Sequence, residues 1–430
     1  MRQAFWLAAF WHTRGEVMFP WEQVLQLVLR QTIAVFFEPV FWIIVAFLGV
    51  QYWQTKRSQT RMFGTAIYSL RQQLLLAAFY GSIGGVVASM MLTFVGVTLN
   101  QLGFNYIWPL ALLIMMINTR FLCFAYAGGL VALSSVVFGW PVVNVPQVLA
   151  LVAILHVTES LLIALSSRYS AMPLFIKRDD GRLVGAFSLQ NFWPLPLVLL
   201  VAAASPGGES LANSVKMADW WPLIPIGMEP PEGQHWIYAM MPVVAALGYT
   251  DMAVTSLPYK RRLRSALHLG IYSIILLALA VLSAKYQWLQ IIAALVCPLG
   301  HELLIQLDNK EETEGAPLFV PPEKGVMVLD TVTDTPARKL GLQPGDIIYS
   351  LAGIPINCGS DLAGAIAYAP PAFDIVYNRQ GREKVKTMKF FKNERRLGII
   401  LVPEGHEQYY AVMATEKIAF LEWFQKRRNK

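Results

Sequence analysis

A histidine–glutamate pair near residue 300 is the part of the sequence that most resembles a catalytic motif. His301 and Glu302 follow a glycine within an apolar stretch. An intramembrane zinc protease needs His-Glu-x-x-His, because two imidazoles four residues apart on one helix face bind the metal and the glutamate activates water. Here Ile305 occupies the position of the second histidine. The set is incomplete, so we predict no catalytic residue, no bound metal and no cofactor.

A second polar pair lies in mid-chain, where His156 and Glu159 interrupt an apolar segment. On a helix this spacing places both side chains on one face. Ionisable groups are costly inside a membrane, so a functional role is the default hypothesis for them. The favoured alternative is a hydrogen-bonded contact within a helical bundle, and a metal site shared with His301 and Glu302 is a weaker one. Asp251, in a later apolar segment, is expected to be paired structurally.

The composition is that of an integral membrane protein. The 430 residues are 55% hydrophobic and only 15% charged, and several apolar windows are long enough to cross a bilayer. Basic residues exceed acidic ones by 35 to 28, a surplus that suits cytoplasmic loops beside anionic lipids and requires no nucleic acid. The three cysteines, Cys123, Cys297 and Cys358, are scattered, so no disulfide framework is predicted.

Hydropathy predicts a polytopic α-helical membrane domain of nine spans, with eight as the alternative. The nine cover residues 32–54, 74–99, 104–119, 121–139, 145–166, 191–206, 235–256, 266–284 and 286–303. Most loop lysines and arginines then fall on one side, which the positive-inside rule places in the cytoplasm. The last span delivers the carboxyl-terminal region to that side. Between the fifth and sixth spans, residues 174–187 have the pattern of a hairpin around Asp180-Gly181.

The carboxyl-terminal region has the helix-cap and turn residues of a small α+β domain. Thr335 and Pro336 are suited to begin a short helix, and Gly341 is suited to end it in a left-handed conformation. A Pro-Gly-Asp turn precedes the next apolar strand. The predicted strand, helix, turn, strand and second helix cover residues 325–329, 335–341, 343–346, 347–351 and 360–366.

This succession resembles a bacterial PDZ domain, with Pro-Ala, Gly-Leu and Pro-Gly-Asp in that family's order and spacing. The resemblance implies a docking module that binds a peptide as an added strand at an exposed sheet edge. Leu-Gly-Ile at 397–399 is similar to the family's ligand-binding strand, although it stands at the end of the module rather than at its beginning. The peptide-binding residues that the resemblance implies are Leu397, Gly398, Ile399, Ile400, Leu362 and Ile366.

Together these patterns divide the chain into five parts. They are an amino-terminal interfacial segment (1–31), the polytopic membrane domain (32–305), a linker (306–322), the PDZ domain (323–403) and a basic carboxyl-terminal tail (404–430).

The membrane half resembles that of the MinJ-like cell-division topology proteins of rod-shaped Gram-positive bacteria. The motifs that carry this likeness are Phe37-Glu38-Pro39, His156-Val157-Thr158-Glu159, Asn191-Phe192-Trp193-Pro194 and Pro298-Leu299-Gly300-His301-Glu302. The resemblance implies a scaffold at septa and poles of the bacterial cell membrane. Its implied partners are membrane lipids, a DivIVA-like polar protein and the MinD-like component of the division inhibitor.

We therefore predict a non-enzymatic membrane adaptor whose cytoplasmic PDZ domain docks partner peptides. One rival is a membrane protease or protease-like regulator, suggested by His301-Glu302 beside a PDZ domain; the missing second histidine argues against it. The other is a transporter or lipid-handling protein, suggested by many spans with buried His156 and Glu159. An inverted repeat would support the transporter, and none is evident in the sequence.

Overall fold

The computed structural model describes residues 18–65, 67, 69–166, 171–206, 215–390 and 395–412. Predictions for residues 1–17, and for the tail from residue 413 onward, lie outside this part of the chain.

Helices build the first part of the molecule and return before the carboxyl-terminal module. Helix α2 begins with Pro39 at its first position and ends before Gly64, which has the left-handed conformation. Asn144 caps α6 by accepting a hydrogen bond from the Gln147 amide. The helices are α1 (Trp21–Val35), α2 (Pro39–Phe63), α3 (Leu70–Val95), α4 (Phe104–Met115), α5 (Phe124–Phe138), α6 (Val145–Leu165), α7 (Pro258–Lys285) and α8 (Leu289–Glu314).

Fewer helices than predicted are long and apolar enough to cross a membrane. Among the described residues, α3, α6, α7 and α8 meet that test, and α1 with α2 would make a fifth span bent by 68°. Helices α4 and α5 are apolar but shorter. Length and composition therefore support four or five spans, and the predicted nine are not confirmed.

Two of the predicted spans, 191–206 and 235–256, are wrong as helices because the chain there forms a long antiparallel hairpin. Strand β1 (Ala171–Lys177) pairs with β2 (Leu183–Pro206), which pairs with β3 (Gln234–Ala253). Pro194 and Pro196 disfavour a helix interior, whereas hydropathy alone does not separate a buried strand from a buried helix. The predicted turn at Asp180-Gly181 is confirmed, with Gly181 at φ +82°.

The long hairpin packs directly against α3. Gly81 and Gly85 face the carbonyl groups of Pro194 and Pro196 on β2 so closely that a methyl group on either glycine would overlap them. Strand β2 is buried along most of its length, with Trp193 among its fully buried side chains. The sheet thus forms part of the apolar core of the membrane half.

The carboxyl-terminal module has its own sheet and its own apolar core. The predicted beginning of α9 at Pro336 and its left-handed end at Gly341 (φ +83°) are confirmed. The sheet has the order β8-β7-β5-β4-β9, with β6 paired to β5. Its elements are β4 (Val326–Thr331), α9 (Pro336–Leu340), β5 (Ile347–Leu351), β6 (Ile354–Pro355), α10 (Gly359–Tyr368), β7 (Ala372–Arg379), β8 (Arg382–Lys389) and β9 (Ile399–Leu401).

The stretch predicted to be a linker holds the module against the hairpin. Residues 306–314 continue α8, and the next residues add backbone hydrogen bonds from Leu318 to Val254 and from Gly185 to Phe319. Phe319 is fully buried against Phe187. After the module, β10 (Ala411–Val412) pairs with β1. The module is therefore anchored before and after its fold rather than tethered by a free chain.

Candidate peptide groove and intramembrane cluster

The residues predicted to bind a peptide lie on strand β9, on the turn before it and on helix α10. Among the described strands β9 has one neighbour, β4, so its other edge carries no strand. Arg395 donates to carbonyl groups of the last turn of α10, including Ile366 and Ala369. At the opposite end, the Gly359 amide donates to Glu404 Oε1 at 2.6 Å. The helix therefore runs antiparallel to the strand.

The structure places the predicted groove residues on two different faces. Leu362, Ile366 and Ile399 belong to the core and inner face of the module, and Leu397 is buried among them. Ile400 is instead buried in the core shared with the membrane half. Successive side chains of a strand point to opposite faces, so the Ile400 side chain, predicted to line the groove, points away from Ile399 and toward the membrane half.

The turn that begins β9 requires glycine. Gly398 has φ +72°, and a methyl group there would overlap Thr335. Backbone hydrogen bonds on both sides of it, from Val332 to Gly398 and from Ala337 to Leu397, hold this turn against α9. Arg396 is exposed beside the turn. Arg396 belongs to the stretch of residues 396–400 that the sequence predicts as the ligand-binding strand.

A buried carboxyl group lies behind the groove, on the strand next to β9. Asp330 is only 3% exposed, and Arg338 Nη1 lies 3.3 Å from its Oδ1. Burial raises the pKa of Asp330 to about 6, and hydrogen bonds from the Thr331 amide and Arg338 oppose that rise. The module thus contains an acid that titrates well above the ordinary range of aspartate.

A compact cluster of Cys123, His156 and His301 lies inside the helical bundle. Cys123 is the cap at the start of α5, His156 lies in α6 and His301 in α8. The Cys123 Sγ atom is 3.2 Å from Nε2 of His156 and 3.7 Å from Nε2 of His301. The structure therefore brings together two histidines that the sequence singled out separately. Sequence analysis missed Cys123, because no spacing pattern connects it to either of them.

The two glutamates singled out with these histidines are not part of the cluster. Glu302 accepts hydrogen bonds from Arg120 at 3.0 Å, from the Tyr126 hydroxyl at 2.7 Å and from Gln306 at 2.6 Å. Glu159 is half-buried and does not join the three donor atoms. A glutamate poised to activate metal-bound water is thus absent from the described surroundings of the cluster.

Asp251 is paired, as predicted, within a buried ionic network where the hairpin meets the helices. Arg261 donates to both carboxylate oxygens of Asp251, at 2.8 and 2.9 Å. Asp308 and Glu312 of α8 lie within 4 Å of the same guanidinium. Glu312 also accepts the amide hydrogens of Val254 and Thr255. This network connects β3, α7 and α8.

Fold and site together define a protein with apolar, membrane-length helices and a PDZ-like module docked on them. The chain is similar to the cell division topological determinant MinJ of Bacillus subtilis (strain 168), at 25% identity over 401 residues that cover 86% of this chain and 94% of that protein. The predicted resemblance to MinJ-like proteins is thus confirmed. A solved PDZ domain, that of the SdrC-like protein from Listeria monocytogenes, matches at 21% identity and a TM-score of 0.17, over 19% of this chain and 90% of that chain. No protein-family model matches the chain.

Proposed function

We propose that this protein is a non-enzymatic membrane scaffold that docks partner peptides in the β9–α10 groove. The observation that carries the proposal is the free edge of β9 beside α10, in a module whose flanking segments are hydrogen-bonded to the membrane half. A strand edge supplies backbone hydrogen bonds for affinity, and side-chain pockets supply specificity.

The partner segment enters as a strand antiparallel to β9. Its terminal carboxylate lies near the glycine turn at Gly398, where the exposed Arg396 supplies positive charge. An apolar side chain of the partner packs between Ile399 and Ile366, the half-buried residues on the two walls. The ligand class is therefore an apolar carboxyl terminus.

The module faces the cytoplasm in this proposal. The end of α7 nearest to the module carries Lys260, Arg261, Arg262 and Arg264, whereas the last turn of α7, at its other end, carries only Lys285. The positive-inside rule assigns the lysine- and arginine-rich end to the cytoplasm. The groove then meets cytoplasmic partners at the membrane surface.

The similarity to MinJ supports a role in positioning cell division. We propose that the scaffold acts at septa and poles and connects a DivIVA-like protein to a MinD-like protein. The zinc-protease alternative has less support, because Glu302 is held by Arg120 and Tyr126 and position 305 is isoleucine. The transporter alternative gains nothing from the structure, because two of the spans behind it are strands.

A fluorescent fusion in the native bacterium tests this proposal together with cell length in a deletion strain. Septal and polar foci, with filaments or minicells on deletion, are expected. The substitution Ile366→Ser, in the groove, is expected to disperse the foci or restore division poorly at unchanged protein level. Ala367→Ser is the matched control, because it adds the same polar group at an exposed position one residue away. Uniform membrane signal with normal division would rule the role out.

A further inference from the structure

We propose that Cys123, His156 and His301 bind one zinc ion inside the helical bundle. Within the described part of the chain, their three donor atoms all lie within 4.8 Å of one another. A thiolate and two imidazoles are borderline-soft ligands of the kind that zinc prefers. The proposal is independent of the peptide groove, which lies in the other half of the molecule.

The distances fit a tetrahedral ion. Zinc bound at about 2.3 Å from sulfur and about 2.0 Å from nitrogen, at tetrahedral angles, separates the two donors by about 3.5 Å. The observed separations from Cys123 Sγ, 3.2 Å to His156 and 3.7 Å to His301, lie on either side of that value. Both Cys–His separations are therefore within a few tenths of an ångström of the value that the ion requires, and the two imidazole nitrogens lie within 4.8 Å of each other.

The groups around the cluster orient His156 for metal binding. His156 Nδ1 is 2.7 Å from the Val152 carbonyl, so it carries the proton and leaves the Nε2 lone pair directed at Cys123. His301 is held edge-on by the rings of Tyr126 and Tyr272, and its Nδ1 has no partner among the described residues. Both histidines are buried, whereas Cys123 is partly exposed and provides the access.

Binding would crosslink three different helices of the bundle. The ion would join the start of α5 to the middle of α6 and to α8, the helix that leads into the PDZ-like module. Coordination exchanges the Cys123 S–H bond for an S–Zn bond, and the thiol proton is released to solvent. Three protein ligands leave a fourth position for water. Without the ion, the same groups form a chain of hydrogen bonds through the thiol, which is the alternative that experiment must exclude.

The first test measures zinc in the purified full-length protein by elemental analysis after loading with zinc and dialysis. One zinc per chain is expected for the wild type and for Cys297→Ala. The latter is the matched control, since Cys297 is a buried thiol of the same bundle outside the cluster. Cys123→Ala and His301→Ala should each reduce the zinc content at least tenfold. Equal zinc in all four proteins, or none in the wild type, would overturn the assignment. So would tight binding of Cu(I) without binding of zinc.

A second test needs no variant and so does not depend on the variants folding. Alkylation of Cys123 is followed by mass spectrometry in the full-length protein, with Cys358 of the module as the internal reference. At free zinc of 100 times the dissociation constant about 1% of sites are empty, so modification of Cys123 should slow on the order of 100-fold. The rate at Cys358 should not change. Unchanged alkylation of Cys123 at saturating zinc would refute the site.

Discussion

Replacing Arg261 with methionine should destabilise the whole protein more than any exposed charge change on the same helix. The side chain is 1% exposed and provides the only arginine within 4 Å of Asp251, Asp308 and Glu312 among the ion pairs of the described residues. Methionine retains much of the apolar volume but removes the guanidinium from all three carboxylates, of which Asp308 keeps His268 as a partner. Breaking a buried pair in this way costs about 3–5 kcal/mol.

The magnitude follows from the contacts that are lost. Asp251 loses two charge-assisted hydrogen bonds, each of which contributes about 1.5–3 kcal/mol. Asp251 keeps the hydrogen bonds from the Tyr249 and Ser265 hydroxyls, so the loss of stability should lie in the lower half of the range given by two such bonds. Glu312 keeps two backbone amides. We therefore expect a loss of about 3–4 kcal/mol.

The assay is thermal unfolding of the detergent-purified full-length protein. Arg264→Met is the control, because its ion pair with Glu311 is on the surface, with side chains 40% and 46% exposed. Such pairs contribute about 0–1 kcal/mol. The melting temperature should fall by several degrees for Arg261→Met and hardly for Arg264→Met. Equal melting temperatures for the two variants would refute the structural role assigned to the buried network.

Three further predictions concern other parts of the fold. Gly398→Ala should cost more than about 1 kcal/mol of stability and weaken peptide binding, because Gly398 has a positive φ and a methyl group there would overlap a neighbouring side chain. Gly364→Ala, at a position with open space within α10, should instead increase stability by about 0.5–1 kcal/mol. Denaturant titration measures the stability of both variants, and peptide titration measures their binding. Gly85→Val should lower the melting temperature, because it drives α3 away from Pro196 of β2. Asp330→Asn should flatten the dependence of melting temperature on pH between about 4 and 6 relative to the wild type.

The sign of the last effect follows from the direction of the pKa change. The folded-state pKa of Asp330, about 6, lies above the ordinary aspartate value of about 3.9. Between these values the folded state binds the proton more tightly, so the contribution of Asp330 to stability is present at about pH 4 and is lost as the pH rises through 6. Asparagine resembles the protonated acid and removes this change. A wild type and a variant with parallel pH profiles would contradict the assignment.

The PDZ-like module was predictable from sequence because local chemistry fixes its turns. Pro336 suits only the start of a helix, and Gly341 and Gly345 both have positive φ. Each of these residues therefore predicted one local structure. The face to which Ile400 points was not predictable in this way, because it depends on which side of β9 the membrane half covers.

The membrane half was less predictable, because a strand that is buried on both faces lacks the alternation of apolar and polar residues that identifies a strand. Strand β2 is apolar on both faces, so its hydropathy is that of a helical span. The pairing of β2 with β3 joins stretches that lie 27 residues apart in the sequence, and no local sequence pattern indicates it. The cluster of Cys123, His156 and His301 was even less predictable from the sequence. Its ligands stand at positions 123, 156 and 301, on three elements whose approach only the tertiary fold determines.

Site-specific photocrosslinking in living cells tests the central claim most directly. A photoreactive residue replaces Ile399 in the groove, and another replaces Val385, which is 59% exposed on β8 and serves as the control. The scaffold account predicts a crosslink from position 399, and not from position 385, to the carboxyl-terminal segment of a DivIVA-like or MinD-like division protein. The absence of any such crosslink from position 399, or equal crosslinks from both positions, would contradict it.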